Sequence, residues 1–124
     1  MNIMNNIEFA EAFKKRTGDF SFRVTRLYRS LSGSFEGQLI GKQLLRSGTS
    51  VAANYRAACR ARSRAEFLSK MSIVVEEADE TVFWMELLIS MEIISSKHLE
   101  QLLPEAKEIL SIVSKARKTA QRNK

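Results

Sequence analysis

The segment LLRSGTSVAANYRAACRARSRAEF, residues 44–67, combines small side chains with regularly spaced arginines. Gly48 lies near its start, and alanine and serine fill many of the surrounding positions. A glycine inside a helix costs about 1 kcal/mol relative to alanine, so its presence indicates that a neighbouring helix comes close. The arginines are either solvated beside that packing face or available to bind a polyanion. The segment therefore predicts tight helix packing and leaves two roles open for its positive charge.

The whole chain has the composition of a helical protein without a membrane span. It has 124 residues, of which 44% are hydrophobic, with only one proline and five glycines. This length suits one domain with a single core, and the scarcity of turn-forming residues favours long helices over many short strands. No segment reaches the roughly 18 uninterrupted apolar residues that a spanning helix needs. A single cysteine and the lack of a secretory leader predict a cytoplasmic location.

Apolar residues at helical spacing predict four helices, over about residues 19–31, 37–60, 64–94 and 97–120. Short connections imply antiparallel neighbours, so we expect an all-α, up-and-down four-helix bundle in which residues 1–124 form one domain. An amphipathic segment before Gly18 either precedes the first helix or extends it. Pro104 either kinks the fourth helix or marks its start after a short first turn.

The third predicted helix carries more apolar side chains than one helical face can bury. Its segment VFWMELLISMEII, residues 82–94, places them nearly all round. A helix that is apolar on every side must be covered on every side. We therefore predict a homo-oligomer, with coverage by the N-terminal segment of the same chain as the alternative. The predicted interface residues are Phe83, Trp84, Leu87 and Met91.

Charge is divided into blocks along the chain. Residues 14–70 hold 13 lysines and arginines against 3 acidic residues, whereas residues 71–110 hold 2 against 9. The tail, residues 111–124, holds 5 basic residues and no acidic one. The basic blocks either attract a polyanion or pair with the acidic block of the same chain or its neighbour. The sequence leaves both arrangements open.

The arginines of the opening segment suit phosphate binding. On one continuous helix, Arg56, Arg60 and Arg64 would fall near one line because they are four residues apart. Arginine forms paired hydrogen bonds with phosphate, and the sequence shows neither a helix-turn-helix nor an aromatic platform for reading bases. We therefore expect contact with RNA or DNA phosphates that is independent of base sequence. The expected nucleic-acid-binding residues are Lys42, Arg46, Arg56, Arg60, Arg62 and Arg64, supported by the basic tail.

Catalytic, cofactor and metal sites are not indicated, so we expect a protein that is not an enzyme. The acidic run EEADE, residues 76–80, lacks the Glu-x-x-His pairs of carboxylate metal bundles, since the sole histidine is His98. Cys59 has no neighbouring histidine base and is expected to be a small buried residue. The acids are expected to pair with arginines of the second helix, and Asn54 to fix the register between helices. The predicted structural polar residues are Asn54, Glu76, Asp79 and Glu80.

Two segments resemble a known bacterial family. GKQLLRSGTSVAANYRAACRARSRAEFLSK, residues 41–70, contains LLRS-x-x-S-x-x-ANY, and EEADETVFWMELL, residues 76–88, contains EADET-x-x-W. The pair, at this separation, is similar to the four-helix bundle proteins encoded in intervening sequences of large-subunit ribosomal RNA genes. The resemblance covers most of the chain. It implies an antiparallel bundle and assembly as a ring-shaped homopentamer, and it provides no catalytic motif.

A related branch of the resembled family, the accessory proteins of diversity-generating retroelements, forms similar basic pentamers that bind nucleic acid and a reverse transcriptase. Two functions therefore stay open. One is a ring that binds RNA or DNA through its basic block, and the other is a structural adaptor in which the charge blocks pair with each other and the ring recruits a protein partner. One departure concerns the turn after the first helix, where SGSFEG, residues 32–37, replaces a proline-containing turn common in the family.

Overall fold

The computed structural model of the chain shows four α-helices packed as an up-and-down bundle. It describes residues 3–31 and 33–123, with side chains described from residue 6. Each helix packs mainly against its neighbours in chain order, and α1 closes the bundle against α4. These residues contain no strand and no helix both long and apolar enough to cross a lipid bilayer. The helices are α1 (Ile3–Ser30), α2 (Phe35–Cys59), α3 (Arg64–Ser90) and α4 (Leu102–Arg122).

The first helix is longer than the sequence predicts. It begins at Ile3, so the N-terminal amphipathic segment continues across Gly18 as part of α1. Phe13, Thr17 and Phe20 are all buried, and together they form one continuous buried stripe on α1 through this region. Burial of that stripe outweighs the propensity cost of about 1 kcal/mol for one glycine. The segment before Gly18 therefore extends the first helix and does not form a separate piece before it.

The third helix stops earlier than predicted. It ends at Ser90, and Glu92 takes a left-handed backbone conformation with φ 58°. The Glu92 amide donates to the Ile89 carbonyl at 3.0 Å, and the Ile93 amide donates to the Leu88 carbonyl at 3.0 Å. These two hydrogen bonds form a Schellman cap, which satisfies the last carbonyls of the helix.

The predicted fourth helix is split into two pieces. A 3-10 turn (Ser96–Leu99) precedes α4, which begins at Leu102. Pro104 lies in the first turn of α4, where a backbone amide hydrogen has no partner within the helix. Pro104 therefore marks the start of α4 after a short turn and does not kink a longer helix.

Small residues let α2 approach both of its neighbours. At Gly48, an added Cβ would lie 2.9 Å from Cγ1 of Val24 on α1. On the side facing α3, the buried hydroxyls of Ser47 and Thr81 are hydrogen-bonded at 2.9 Å. The small side chains of the opening segment therefore serve close packing, as predicted.

Candidate nucleic-acid interface

Antiparallel packing gathers basic side chains at one end of the bundle. The start of α1, the end of α2, the start of α3 and the end of α4 all lie there. Along residues 6–31 and 33–123, no ion pair involves the basic side chains that α2, α3 and α4 contribute to this end. We call this surface the basic end, defined by Arg56, Arg60, Arg62, Arg64, Lys115, Arg117, Lys118 and Arg122.

Four arginines of the basic end, Arg56, Arg60, Arg62 and Arg64, lie at the end of α2, in the turn after it and at the start of α3. α2 ends just before Arg60, which is its C-cap residue, and α3 begins at Arg64. The expected line of Arg56, Arg60 and Arg64 along one helix is therefore corrected. Ser63 was the sequence signal for this break, because its hydroxyl caps α3 by accepting the Glu66 amide hydrogen at 3.0 Å.

Lys42 and Arg46 lie apart from the basic end. Both are in the first half of α2, and Arg46 stands about 15 Å along the helix from Arg56. Arg46 is held by two carboxylates of α3: its Nη1 donates to Glu77 and its Nη2 to Glu80, each at 2.7 Å. Lys42 is exposed. The structure thus separates these two predicted binding residues from the four arginines and gives Arg46 a structural role.

Part of the acidic run faces α2, and part faces solvent. Glu77 and Glu80 bind Arg46, whereas Glu76 and Asp79 are exposed and make no ion pair within the described part of the chain. Glu77 is only 9% exposed, and this burial raises the pKa of its carboxyl while Arg46 opposes the rise. Glu77 therefore forms an ion pair between α2 and α3, although it is absent from the predicted structural polar residues.

The side-chain amide of Asn54 forms its hydrogen bonds within its own helix. Its amide nitrogen donates to the Ser50 carbonyl at 3.0 Å and to the Ser50 hydroxyl at 2.9 Å. Among the described residues, no hydrogen bond from this amide crosses to another helix. The buried hydroxyl contact of Ser47 with Thr81 instead joins α2 to α3, together with the ion pairs of Arg46.

An ion pair that the sequence pattern did not reveal joins α1 to α4. Arg16 donates from Nε and Nη2 to the Glu105 carboxylate at 2.8 and 2.6 Å, and Nη2 lies 3.1 Å from Glu108. The hydrogen bonds from Arg16 lower the pKa of the Glu105 carboxyl. Arg16 is therefore a structural arginine, like Arg46.

An apolar cleft of about 520 Å³ opens at the basic end and is lined by all four helices. Its aromatic side chains contact one another: Phe9 stacks on Phe13, with ring centroids 5.7 Å apart and planes 6° apart. Phe13 packs edge-on against Tyr55 at 4.9 Å. No local pattern in the sequence reveals these contacts, because Phe9 and Phe13 lie in the segment before Gly18 and Tyr55 lies on the second predicted helix.

Cys59 lines this cleft and is exposed, so the expectation of a buried cysteine is wrong. Partial burial of the thiol raises its pKa, although a hydrogen bond with Tyr55 and the charge of Lys14 oppose the rise. A raised pKa reduces the thiolate fraction at neutral pH, which disfavours a nucleophilic role.

Phe83 and Met91, two of the predicted interface residues on α3, stay largely exposed. Phe83 is 53% exposed and contacts the half-buried Trp84 edge-on, with ring centroids 4.9 Å apart. Leu87 is also half-buried. From residue 6 onward the N-terminal segment does not cover this face, because α1 packs mainly against α2 and α4.

Comparison with known proteins identifies the family. The model of the family described as 23S rRNA-intervening sequence protein matches residues 9–115. The chain belongs to this family. A crystal structure of a protein with unknown function, from the S23 ribosomal protein family of Bacteroides thetaiotaomicron VPI-5482, is 37% identical, with a TM-score of 0.81. The match covers 88% of this chain and 97% of that chain. No curated protein matches the chain.

The predicted resemblance to the 23S rRNA-intervening sequence proteins is thus confirmed, and its two motifs face each other in the structure. LLRS-x-x-S-x-x-ANY lies on α2 and EADET-x-x-W on α3. Arg46 of the first motif binds Glu77 of the second, and Ser47 contacts Thr81. The motif side chains that join the two helices are therefore structural. The arginines of the basic end lie outside both motifs, and Arg56 directly follows the first.

Proposed function

We propose that this 23S rRNA-intervening sequence protein is a non-enzymatic, self-associating bundle that binds RNA or DNA phosphates at its basic end. The observation that carries the proposal is the contrast between two groups of arginines. Arg16 and Arg46 are bound by carboxylates of neighbouring helices. The arginines at the α2–α3 turn are exposed and make no ion pair within the described residues. Their planar guanidinium groups match the geometry of phosphate oxygens.

Two acidic residues at this end of the bundle, Glu11 and Glu66, have partners of their own. Glu11 pairs with Lys14 at 3.0 Å. The Glu66 carboxylate accepts from the Arg62 amide at 3.5 Å and lies in the first turn of α3. These acids therefore leave the guanidinium groups of the turn without a partner in the described chain, and a polyanion would be attracted to this surface.

Neutralising arginines of the basic end is expected to reduce the salt dependence of DNA binding. The variant with Arg56→Gln, Arg60→Gln and Arg64→Gln loses three phosphate contacts, so the slope of log affinity against log salt concentration falls in magnitude by about 2.7 for duplex DNA. Fluorescence anisotropy of a labelled duplex, titrated at several salt concentrations, measures this slope.

The matched control removes the same charge from elsewhere in the bundle, through Arg26→Gln, Arg29→Gln and Lys42→Gln. All three are exposed and lie toward the opposite end. This variant is expected to keep the slope close to that of the parent protein. An unchanged slope in the basic-end variant, or equal losses in both variants, would contradict the proposal.

Self-association through the exposed apolar face of α3 is the second part of the proposal. It is supported by Phe83 and Met91, whose large apolar surfaces face solvent in the single chain. The number of subunits, five, comes from the family resemblance. A ring of this kind would bring several basic ends into one particle and so multiply their phosphate contacts.

Phe83→Asp is expected to yield particles smaller than the parent assembly, because a carboxylate in an apolar interface must be desolvated without a partner. Size-exclusion chromatography with light scattering measures the mass, which for the parent is expected to be five times the 14.1 kDa chain. Trp84→Ala is expected to act in the same direction. Phe83→Leu, which stays apolar, serves as the control and is expected to keep the parent mass. A Phe83→Asp protein of parental mass would show that this face is not the interface.

A structural adaptor that recruits a protein partner is the second candidate function. The observation in its favour is that two exposed phenylalanines lie away from the basic end: Phe22 on α1 and Phe35, 85% exposed, at the start of α2. Material that copurifies with the native protein at low salt distinguishes the two functions. Nucleic acid retained by the parent and lost from the basic-end variant supports binding. A stoichiometric protein lost after Phe22→Ser and Phe35→Ser, without nucleic acid, supports the adaptor.

A further inference from the structure

The cleft at the basic end exposes large apolar side chains near the arginines that we propose to bind phosphate. Ile7 and Phe9 are each about half exposed, whereas contact with phosphates alone needs no apolar surface. The cleft lies near the start of α3, where it is lined by Phe67 and Met71. Phe83 is about 24 Å farther along that helix, so the cleft and the proposed subunit interface are separate surfaces.

Phe9 is the outer member of a supported aromatic stack. Its ring is nearly parallel to that of Phe13, and it is 49% exposed. Phe9 contacts Phe13 on one side, and about half of its surface remains accessible to a ligand. Phe13 and Tyr55 are buried and in edge-on contact, so the stack has a rigid base. A flat group can extend this stack without rearranging the protein.

The charge around the cleft fits an anionic ligand that carries such a flat group. Ala61 lines the cleft and lies between Arg60 and Arg62 in the turn. Ala116 lines it from α4, next to Lys115 and Arg117. Basic residues therefore adjoin the cleft lining in sequence at two places, and the charged residue that lines the cleft itself, Glu11, pairs with Lys14 at 3.0 Å. Its volume of about 520 Å³ lies within the range of small-ligand pockets.

We propose that the cleft takes up an unpaired nucleotide base, which stacks on Phe9 while the neighbouring arginines contact the adjoining phosphates. The inference rests on the proposed function and names its substrate class: single-stranded or looped RNA or DNA. In a continuous duplex the base faces are already stacked and unavailable to a protein side chain. Stacking on one aromatic ring accepts any base, so the binding is independent of sequence.

The test compares a labelled oligouridylate with an RNA duplex of the same length, by fluorescence anisotropy at fixed salt. Phe9→Ala is expected to weaken binding of the single strand about tenfold or more and to leave duplex binding unchanged. The slope of log affinity against log salt is expected to stay the same for both probes, because no charge is removed. Phe9→Trp, which keeps the stacking face, is expected to retain single-strand affinity. Phe22→Ala, an exposed phenylalanine of the same helix outside the cleft, is the control.

Each other outcome has a defined meaning. Unchanged single-strand affinity in Phe9→Ala overturns the inference, and the slope measured on the basic-end variant then decides the proposed function separately. Equal weakening with both probes also overturns it, because bases inside a continuous duplex offer no free face for stacking on Phe9. A lower particle mass in Phe9→Ala would show that a second copy of the chain covers the cleft, and this too would overturn the inference.

Discussion

Gly48→Leu is expected to lower the free energy of unfolding by about 3 kcal/mol, the upper part of the range for overpacked cores. A Cβ at this position would lie 2.9 Å from Cγ1 and 3.1 Å from Cγ2 of Val24. Val24 is fully buried, and a β-branched side chain in a helix has one strongly preferred rotamer, so it cannot turn away. The helices α1 and α2 must therefore separate. Thermal unfolding at fixed protein concentration measures the effect, as a midpoint lower by about 10 °C.

Gly18→Ala is the matched control for this prediction. Gly18 also lies inside a helix, but an added Cβ meets no atom within 4 Å. The substitution is expected to stabilise the protein by about 0.5–1 kcal/mol, because alanine is the better helix former. Substitutions at the two glycines are thus expected to change the free energy of unfolding in opposite directions. A Gly48→Leu protein as stable as the parent would show that α1 and α2 are not in close contact at this point.

Local patterns in the sequence were sufficient for the number and type of the secondary-structure elements. The spacing of Leu44, Gly48, Val51 and Tyr55 marks one face of a helix, and all four residues are buried in α2. The pattern failed where burial and propensity disagree. Gly18 suggested a break that the continuous stripe of Phe13, Thr17 and Phe20 overrides.

The candidate site depended on contacts that no local pattern contains. Arg16 and Glu105 are 89 positions apart, and only the packing of α1 against α4 joins them. Phe13 meets Tyr55 in the same way, through the contact of α1 with α2. Composition revealed an excess of positive charge, but the pairing of Arg46 with Glu77 was needed to distinguish structural arginines from free ones.

Arg46→Ala is expected to lower the free energy of unfolding by about 2 kcal/mol near pH 7. Breaking a fully buried ion pair costs roughly 3–5 kcal/mol, because one charge is left without compensation. Here the Glu77 side chain is 12% exposed but that of Arg46 is 49% exposed, so water screens part of the loss. Chemical denaturation measures the change. Lys42→Ala, an exposed residue of the same helix with no ion pair in the described chain, is the control and is expected to stay within about 0.5 kcal/mol of the parent.

The cost of Arg46→Ala is expected to shrink as the pH falls from about 7 to about 4.5. Burial already raises the pKa of the Glu77 carboxyl with Arg46 present, and removing this cation raises it further. A carboxyl with a raised folded-state pKa binds its proton more tightly in the folded than in the unfolded state. Its contribution to stability is therefore fully present below the unfolded-state pKa and is lost as the pH rises through the folded-state pKa. The difference between variant and parent, measured across this range, isolates the effect.

Adding Glu77→Gln to Arg46→Ala is expected to remove this pH dependence, because the titrating group is gone. A cost of Arg46→Ala that is equal at both ends of the pH range would contradict the assignment of Glu77 as the group left unpaired. DNA affinity provides the functional contrast. Arg46 lies about 15 Å along α2 from Arg56, so its replacement is expected to leave the salt slope of binding unchanged. Loss of stability without loss of binding would separate the arginine that joins two helices from those proposed to contact phosphate.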